Sequence, residues 1–137
     1  MVGCLQCSVL LPLIPQCVGI ARHAVRAALV DNEHREAAEL VASELTSNSV
    51  RYARSFTDDP DARYLTHRFA MEVRVAPQTG AVLIQVSELA GSSIPEMRKP
   101  TDDEEGGRGL YNIDQITGGK WGWKDDGAIR KFWALVG

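Results

Sequence analysis

ELVASELTSNSVRYA, residues 39–53, contains neither glycine nor proline and reads as a helix. At about 100° per residue, Leu40, Val41, Leu45 and Tyr52, with Ala37 just upstream, fall on an arc of roughly 140°. Glu44 and Asn48 fall inside the same arc, one turn apart. Glu39, Ser43, Thr46, Ser49 and Arg54 fall on the other side, diluted by Ala42, Val50 and Ala53. A carboxylate and an amide are therefore expected to point inward, where polar groups cost free energy unless they are paired or ligate something. The helix alone leaves two readings open: a Glu–Asn pair that satisfies itself at the rim of the core, or a binding site.

The chain around it has 137 residues, which suits a single domain spanning 1–137 with one core. Hydrophobic residues make up 45% and charged residues 24%, the composition of ordinary globular material. A net charge of -3, without basic residues interleaved with aromatics, argues against nucleic acid as a partner. Cys4 and Cys7 form a C-x-x-C, but no second Cys/His pair follows at zinc-site spacing. Reduced cysteines in or near a first strand are the simpler expectation. The opening apolar run lacks a preceding Lys or Arg and is interrupted by Pro12 and Pro15, unlike a signal peptide. No stretch approaches transmembrane length. The expectation is a cytoplasmic protein that does not engage membranes.

Working outward, residues 4–14 read as a strand, with Pro12 marking an edge or a strand end. Pro15 suits a helix start, and Val18, Ala21, Val25, Ala28 and Leu29 recur at helical spacing to about Val30. The helix from Arg35 to Arg54 follows. A polar loop with Pro60 leads to RFAMEVRVAP, where Phe69, Met71, Val73 and Val75 share one face. QTG turns the chain into AVLIQVSE, giving a hairpin. LAGSSIPEMRKPTDDEEGG is a long polar loop of the kind that serves as a lid. RGLYNIDQIT is a short helix with Leu110, Ile113 and Ile116 on one side, ended by GG. KWGWKDDG reads as a turn region and AIRKFWALV as a last strand. Trp121, Trp123 and Trp133 read as packing residues rather than a ligand cage. The order β-α-α-β-β-loop-α-β predicts a two-layer α/β (α+β) sandwich, with helices on one face of a mixed, largely antiparallel sheet.

A second chemical element lies at EEGGRGLYNI. Gly106, Gly107 and Gly109 sit at a helix start, where backbone amides can turn toward an anion. Arg108 could reach a phosphate. Taken alone, the same residues also describe a flexible turn capping a helix. The acids from Asp102 to Glu105 just before it would repel a triphosphate, so the loop moves or a cation intervenes. Set beside the inward pair, the two elements suit one site. Mg²⁺ takes oxygen ligands and shares them with substrate phosphates. Asn48 supplies an amide oxygen, and Glu44 can orient or deprotonate the group that attacks a γ-phosphate.

With these motifs in place, the chain resembles the gyrase/histidine-kinase-like ATPase (GHKL) superfamily. ELVASELTSNSVRYA is similar to its N box, a Glu and an Asn with three residues between, and GGRGL to its second glycine box. GRGLYNIDQITGGKWGW and the short lid resemble one branch, the bacterial anti-sigma-factor serine-kinase-like ATP-binding proteins. The resemblance runs from about Pro15 to Val136. It implies the Bergerat fold, with ATP and Mg²⁺ held between the helices and the lid. It implies that Asn48 binds Mg²⁺ and Glu44 acts as base, with Gly107, Arg108, Gly109 and Leu110 flanking the phosphates. It implies a sigma factor or an anti-anti-sigma (STAS-type) protein as partner, phosphorylation of that partner on Ser or Thr, and a homodimer.

The family's first glycine box departs here. Glu88 stands where the family has an Asp that accepts a hydrogen bond from the adenine amino group. Ala90 stands for the first glycine, with Gly91 beside it. The extra methylene moves the carboxylate by about 1 Å or more. The last strand lacks the Thr that often helps hold adenine. Two functional classes follow: an ATP-dependent serine/threonine protein kinase that switches a sigma-factor regulator, or a module of the same fold with weak or no ATP turnover that acts by holding a protein. A histidine kinase proper is not expected, because this length leaves no room for a separate dimerising His domain.

Overall fold

In the computed structural model, which describes residues 3–12, 14–53, 68–89, 108–126 and 129–137, alternation and helical spacing produce the elements in sequence order. They are β1 (Cys4–Pro12), α1 (Cys17–Ala28), α2 (Arg35–Ala53), β2 (Arg68–Val75), β3 (Val82–Leu89), α3 (Arg108–Thr117), β4 (Trp121–Asp126) and β5 (Ile129–Val136). The strands form one sheet in the order β1-β2-β3-β5-β4. The period-two pattern puts Phe69, Met71 and Val73 of β2, Val82, Ile84 and Val86 of β3, and Phe132, Ala134 and Val136 of β5 on the covered face. Register pairs them into apolar rows, such as Met71–Val86–Phe132 and Val73–Ile84–Ala134. Ser8, Leu10, Glu72, Arg74, Lys131 and Trp133 occupy the opposite face.

The helices form the second layer. α1 lies over β1 and β2, α2 over β3 and β5, and α3 over β5 and β4. Cys17, Ala21, Val25 and Leu29 of α1, and Leu110 and Ile113 of α3, complete the core. The end of α3 is set by Gly118 and Gly119, whose φ of 63° and 85° take the chain out of the helix in a conformation that disfavours a Cβ. The Trp121 indole then donates to Asp114 Oδ1 at 2.8 Å and ties α3 to β4. Among the described residues, no helix is long and apolar enough to cross a membrane.

Three expectations are corrected. Among the described residues the sheet is antiparallel at every ladder, not mixed. KWGWKDDG is not a turn region: Trp121–Asp126 is a strand paired to β5. Gly122 breaks its strand pattern, but the Trp133 ring covers that glycine. A Cβ there would fall 2.9 Å from Trp133 Cζ2.

The covered arc of α2 is also wider and rotated from the expected one. Leu40 is 50% exposed, while Glu39, Thr46 and Ser49 are buried with Ala38, Val41, Ala42, Leu45 and Val50. α2 is flanked by α1 and α3 and lies on the sheet, so little of its circumference faces outward. The hydroxyls tolerate this because they bond back to their own helix. Thr46 Oγ1 donates to the Ala42 carbonyl at 2.7 Å, and Ser49 Oγ to that of Leu45 at 3.2 Å. Glu39 is met by Arg26 of α1, Nη2 to Oε1 at 2.8 Å. The expected polar loop of 55–67 lies outside the described residues, as does the expected lid of 89–107 apart from Leu89, which ends β3.

Candidate functional site

Glu44 and Asn48 leave α2 one turn apart and meet the first turn of α3. A Cβ built on Gly109 would fall 2.5 Å from Glu44 Oε2 and 3.3 Å from Asn48 Oδ1. Nonbonded atoms do not settle that close to a carbon. Glycine is therefore what lets the start of α3 descend onto the polar pair. The buried side chains of Leu110 and Ile113 pull α3 into the core and hold it at that height.

Asn48 is 2% exposed. Its Oδ1 accepts a hydrogen bond from Arg51 Nη1 at 3.0 Å. Its Nδ2 is buried and has no hydrogen-bond partner among the described residues. The amide cannot be turned over to cure this, because Nδ2 and the guanidinium would then meet as two donors. An orphaned buried amide is destabilising in the free protein, and a structural Glu–Asn pair that satisfied itself would not leave one.

A second polar group lies on the sheet under α2. Glu88 of β3 pairs across the ladder with Arg130 of β5, and Arg130 with Asp125 of β4. Arg130 is 1% exposed, and its Nε lies 3.0 Å from Asp125 Oδ1. Its guanidinium carbon stands 5.8 Å from the centre of the Trp123 ring, within cation–π range. Glu88 is 6% exposed. Burial pushes its carboxyl above the usual carboxylate range, against the smaller opposing pull of a Ser49 hydrogen bond and the Arg130 charge. Ser49 follows Asn48 in α2, so the two polar groups adjoin through consecutive residues.

The chemistry open to the first group is clear from its atoms. Asn48 Oδ1 and the Glu44 carboxylate are hard oxygen donors, suited to a divalent cation such as Mg²⁺. Among the described residues, no three His, Cys, Asp or Glu side chains converge on a point, so a cation here would complete its shell with ligand oxygens or water. The first turn of α3 presents amide N–H groups that have no partner within the helix. The orphaned Asn48 amide fits a bound group. No protein-family model and no curated protein matches the chain.

The site residues expected from sequence divide into four sets. Glu44, Asn48 and Gly109 are brought together. Leu110 sends its side chain into the core, leaving only its backbone to face a ligand. Glu88 is on the covered face, engaged by Ser49 and Arg130. Arg108 begins α3, while Gly91 and Gly107 lie outside the described residues. Sequence reasoning missed Ser49, Arg51 and Arg130. The signals were present: Arg51 is three residues after Asn48 on a helix, and Arg130 shares strand parity with Phe132, Ala134 and Val136.

Proposed function

We propose that the chain binds ATP with Mg²⁺ where α2 meets α3, and acts in the cytoplasm as an anti-sigma-factor type serine/threonine protein kinase. Its substrate in this reading is an anti-anti-sigma protein. The observation that carries the proposal is the closure of Gly109 onto Glu44 and Asn48. Two motifs more than fifty residues apart in sequence meet as an anion-ready helix start over two oxygen donors. The antiparallel sheet under a helical layer is compatible with the histidine-kinase-like ATPase fold that the resemblance names.

In this reading Asn48 Oδ1 holds the cation, which when bound offsets negative charge on the phosphate oxygens. The Gly109 and Leu110 amides lie at the positive end of α3 and orient the anion. Glu44 accepts the proton of a partner Ser or Thr hydroxyl as the new O–P bond forms and ADP leaves with the electrons of the broken bond.

The test is a melt with and without millimolar Mg-ATP. Ligand at about 100 times its dissociation constant adds roughly 2.7 kcal/mol of stability. No shift would sink the proposal. Glu44→Ala should keep the shift while phosphate transfer falls by roughly two orders of magnitude or more. Equal transfer would remove Glu44 from the base role.

One observation favours the second reading, a regulatory module with weak or no ATP turnover that holds a sigma factor or its regulator. Glu88, which the resemblance would aim at the adenine amino group, is instead buried under α2, where Ser49 and the Arg130 charge only partly offset the burial of its carboxyl. A base pocket whose acceptor is already engaged binds ATP weakly. A small Mg-ATP shift with no transfer, together with stable capture of the partner, selects this reading.

A further inference from the structure

We propose that Arg51 guards the metal-capable oxygen of Asn48, so that a divalent cation enters only with an anion that draws the guanidinium away. The inference rests on the reading of Asn48 as the cation ligand and adds how that ligand is regulated. Three observations carry it.

Arg51 Nη1 donates to Asn48 Oδ1 at 3.0 Å, placing a permanent positive charge on the one amide atom that can ligate a metal. Gly109 of α3 faces the same oxygen: a Cβ built there would stand 3.3 Å from it. The buried Nδ2 holds the other side and has no acceptor among the described residues that could turn the amide round.

A dication on Oδ1 would lie about 5 Å from the guanidinium. Their repulsion weakens binding by about tenfold even at the dielectric of bulk water. Phosphate reverses the balance. A guanidinium makes charge-assisted, two-pronged bonds to phosphate oxygens, which are stronger than its bond to a neutral amide. An arriving anion thus removes the guard and adds ligand oxygens at once. Cation and anion bind cooperatively, each raising the affinity of the other by the same factor.

The experiment uses the full chain and Mn²⁺ as probe, with bound metal read by electron paramagnetic resonance, with and without a non-hydrolysable ATP analogue. Wild type should bind free Mn²⁺ weakly and bind it at least about tenfold more tightly with the analogue. Arg51→Met keeps the length and removes the charge. It should bind free Mn²⁺ about tenfold more tightly than wild type, with a smaller gain from the analogue. Arg51→Lys keeps the charge and should bind free Mn²⁺ as weakly as wild type. A merely structural role for Arg51 would not make metal binding tighter.

If Arg51→Met binds free Mn²⁺ no better than wild type, while wild type takes Mn²⁺ with the analogue and Asn48→Ala does not, this inference falls and the site stands. If wild type takes no Mn²⁺ with the analogue, or Asn48→Ala takes it equally well, the site reading falls and the guard with it. Should Arg51→Met fail to fold, Arg51→Gln makes the same comparison.

Discussion

Replacing Gly109 by alanine separates the fold from the site. The added Cβ would stand 2.5 Å from Glu44 Oε2 and 3.3 Å from Asn48 Oδ1. The nearer atom is the far end of a half-buried side chain, so the carboxylate swings aside while α2 and α3 stay packed. A forced rotamer costs about 0.5–1.5 kcal/mol, and alanine returns up to about 1 kcal/mol of helix propensity. The free protein should therefore melt within about 4 °C of wild type. The same Cβ crowds Asn48 Oδ1, the proposed cation ligand, so the ligand response should collapse. At about 100 times the dissociation constant, wild type gains roughly 2.7 kcal/mol, or about 9 °C for a chain of this size. We take the displaced ligand oxygen to cost about a hundredfold in affinity, the order that a misplacement of about 1 Å costs a positioned reaction. The same nucleotide concentration then adds only about 0.4 kcal/mol, a shift of 1–2 °C. The assay is a pair of melts, with and without Mg-ATP, on both proteins. A variant that folds and keeps the full shift would refute the placement of the site between Asn48 and α3.

Asn48→Leu removes the orphaned amide. It should leave the free protein as stable as wild type or up to about 1 kcal/mol more stable, and abolish the Mg-ATP shift, as denaturant titrations and melts would show. Glu88→Gln addresses pH. Burial raises the folded-state pKa of Glu88, so its proton is held more tightly in the folded chain and stability falls as pH rises from the ordinary carboxylate range through the raised value. The variant should lose less stability than wild type over that window, in a pH series of denaturant midpoints. Arg26→Met strands the buried Glu39 carboxylate. It should cost on the order of 1–2 kcal/mol, more than Glu39→Gln does in the same melts.

Most of the layer architecture was legible because periodicity reports which face is covered. Helical spacing marked α1 and α3, and alternation marked β2 and β3. Pro12 does end β1, an edge strand. β4 escaped because the local preference of Gly122 opposes a strand. The strand is held by a neighbour, β5, and by the Trp133 ring, which no local pattern reports. The arc of α2 was misjudged for a related reason. Buried serine and threonine read as surface residues, yet their hydroxyls find acceptors in the preceding turn. The proximity of Glu44 and Asn48 is a property of one helix and could be read directly. Their meeting with Gly109 is tertiary and was accessible only by combining two motifs. The partnership of Glu88 with Arg130 depends on strand register, which a single sequence states only weakly.

The charged row Glu88–Arg130–Asp125 bears on how the chain finds its native pairing. β3 and β5 are joined through everything between residues 89 and 129, so their association is a long-range event and a slow, error-prone step of folding. Apolar rows alone discriminate poorly between registers, since one aliphatic pair resembles the next. A slip of two residues one way would set Arg130 against Val86, and a slip the other way would set Glu88 against Phe132. Either mistake leaves a charge facing hydrocarbon, whereas the native alignment matches opposite charges on three strands at once. The row is thus a proofreading mark: mispaired intermediates carry a penalty that disappears only in the correct alignment.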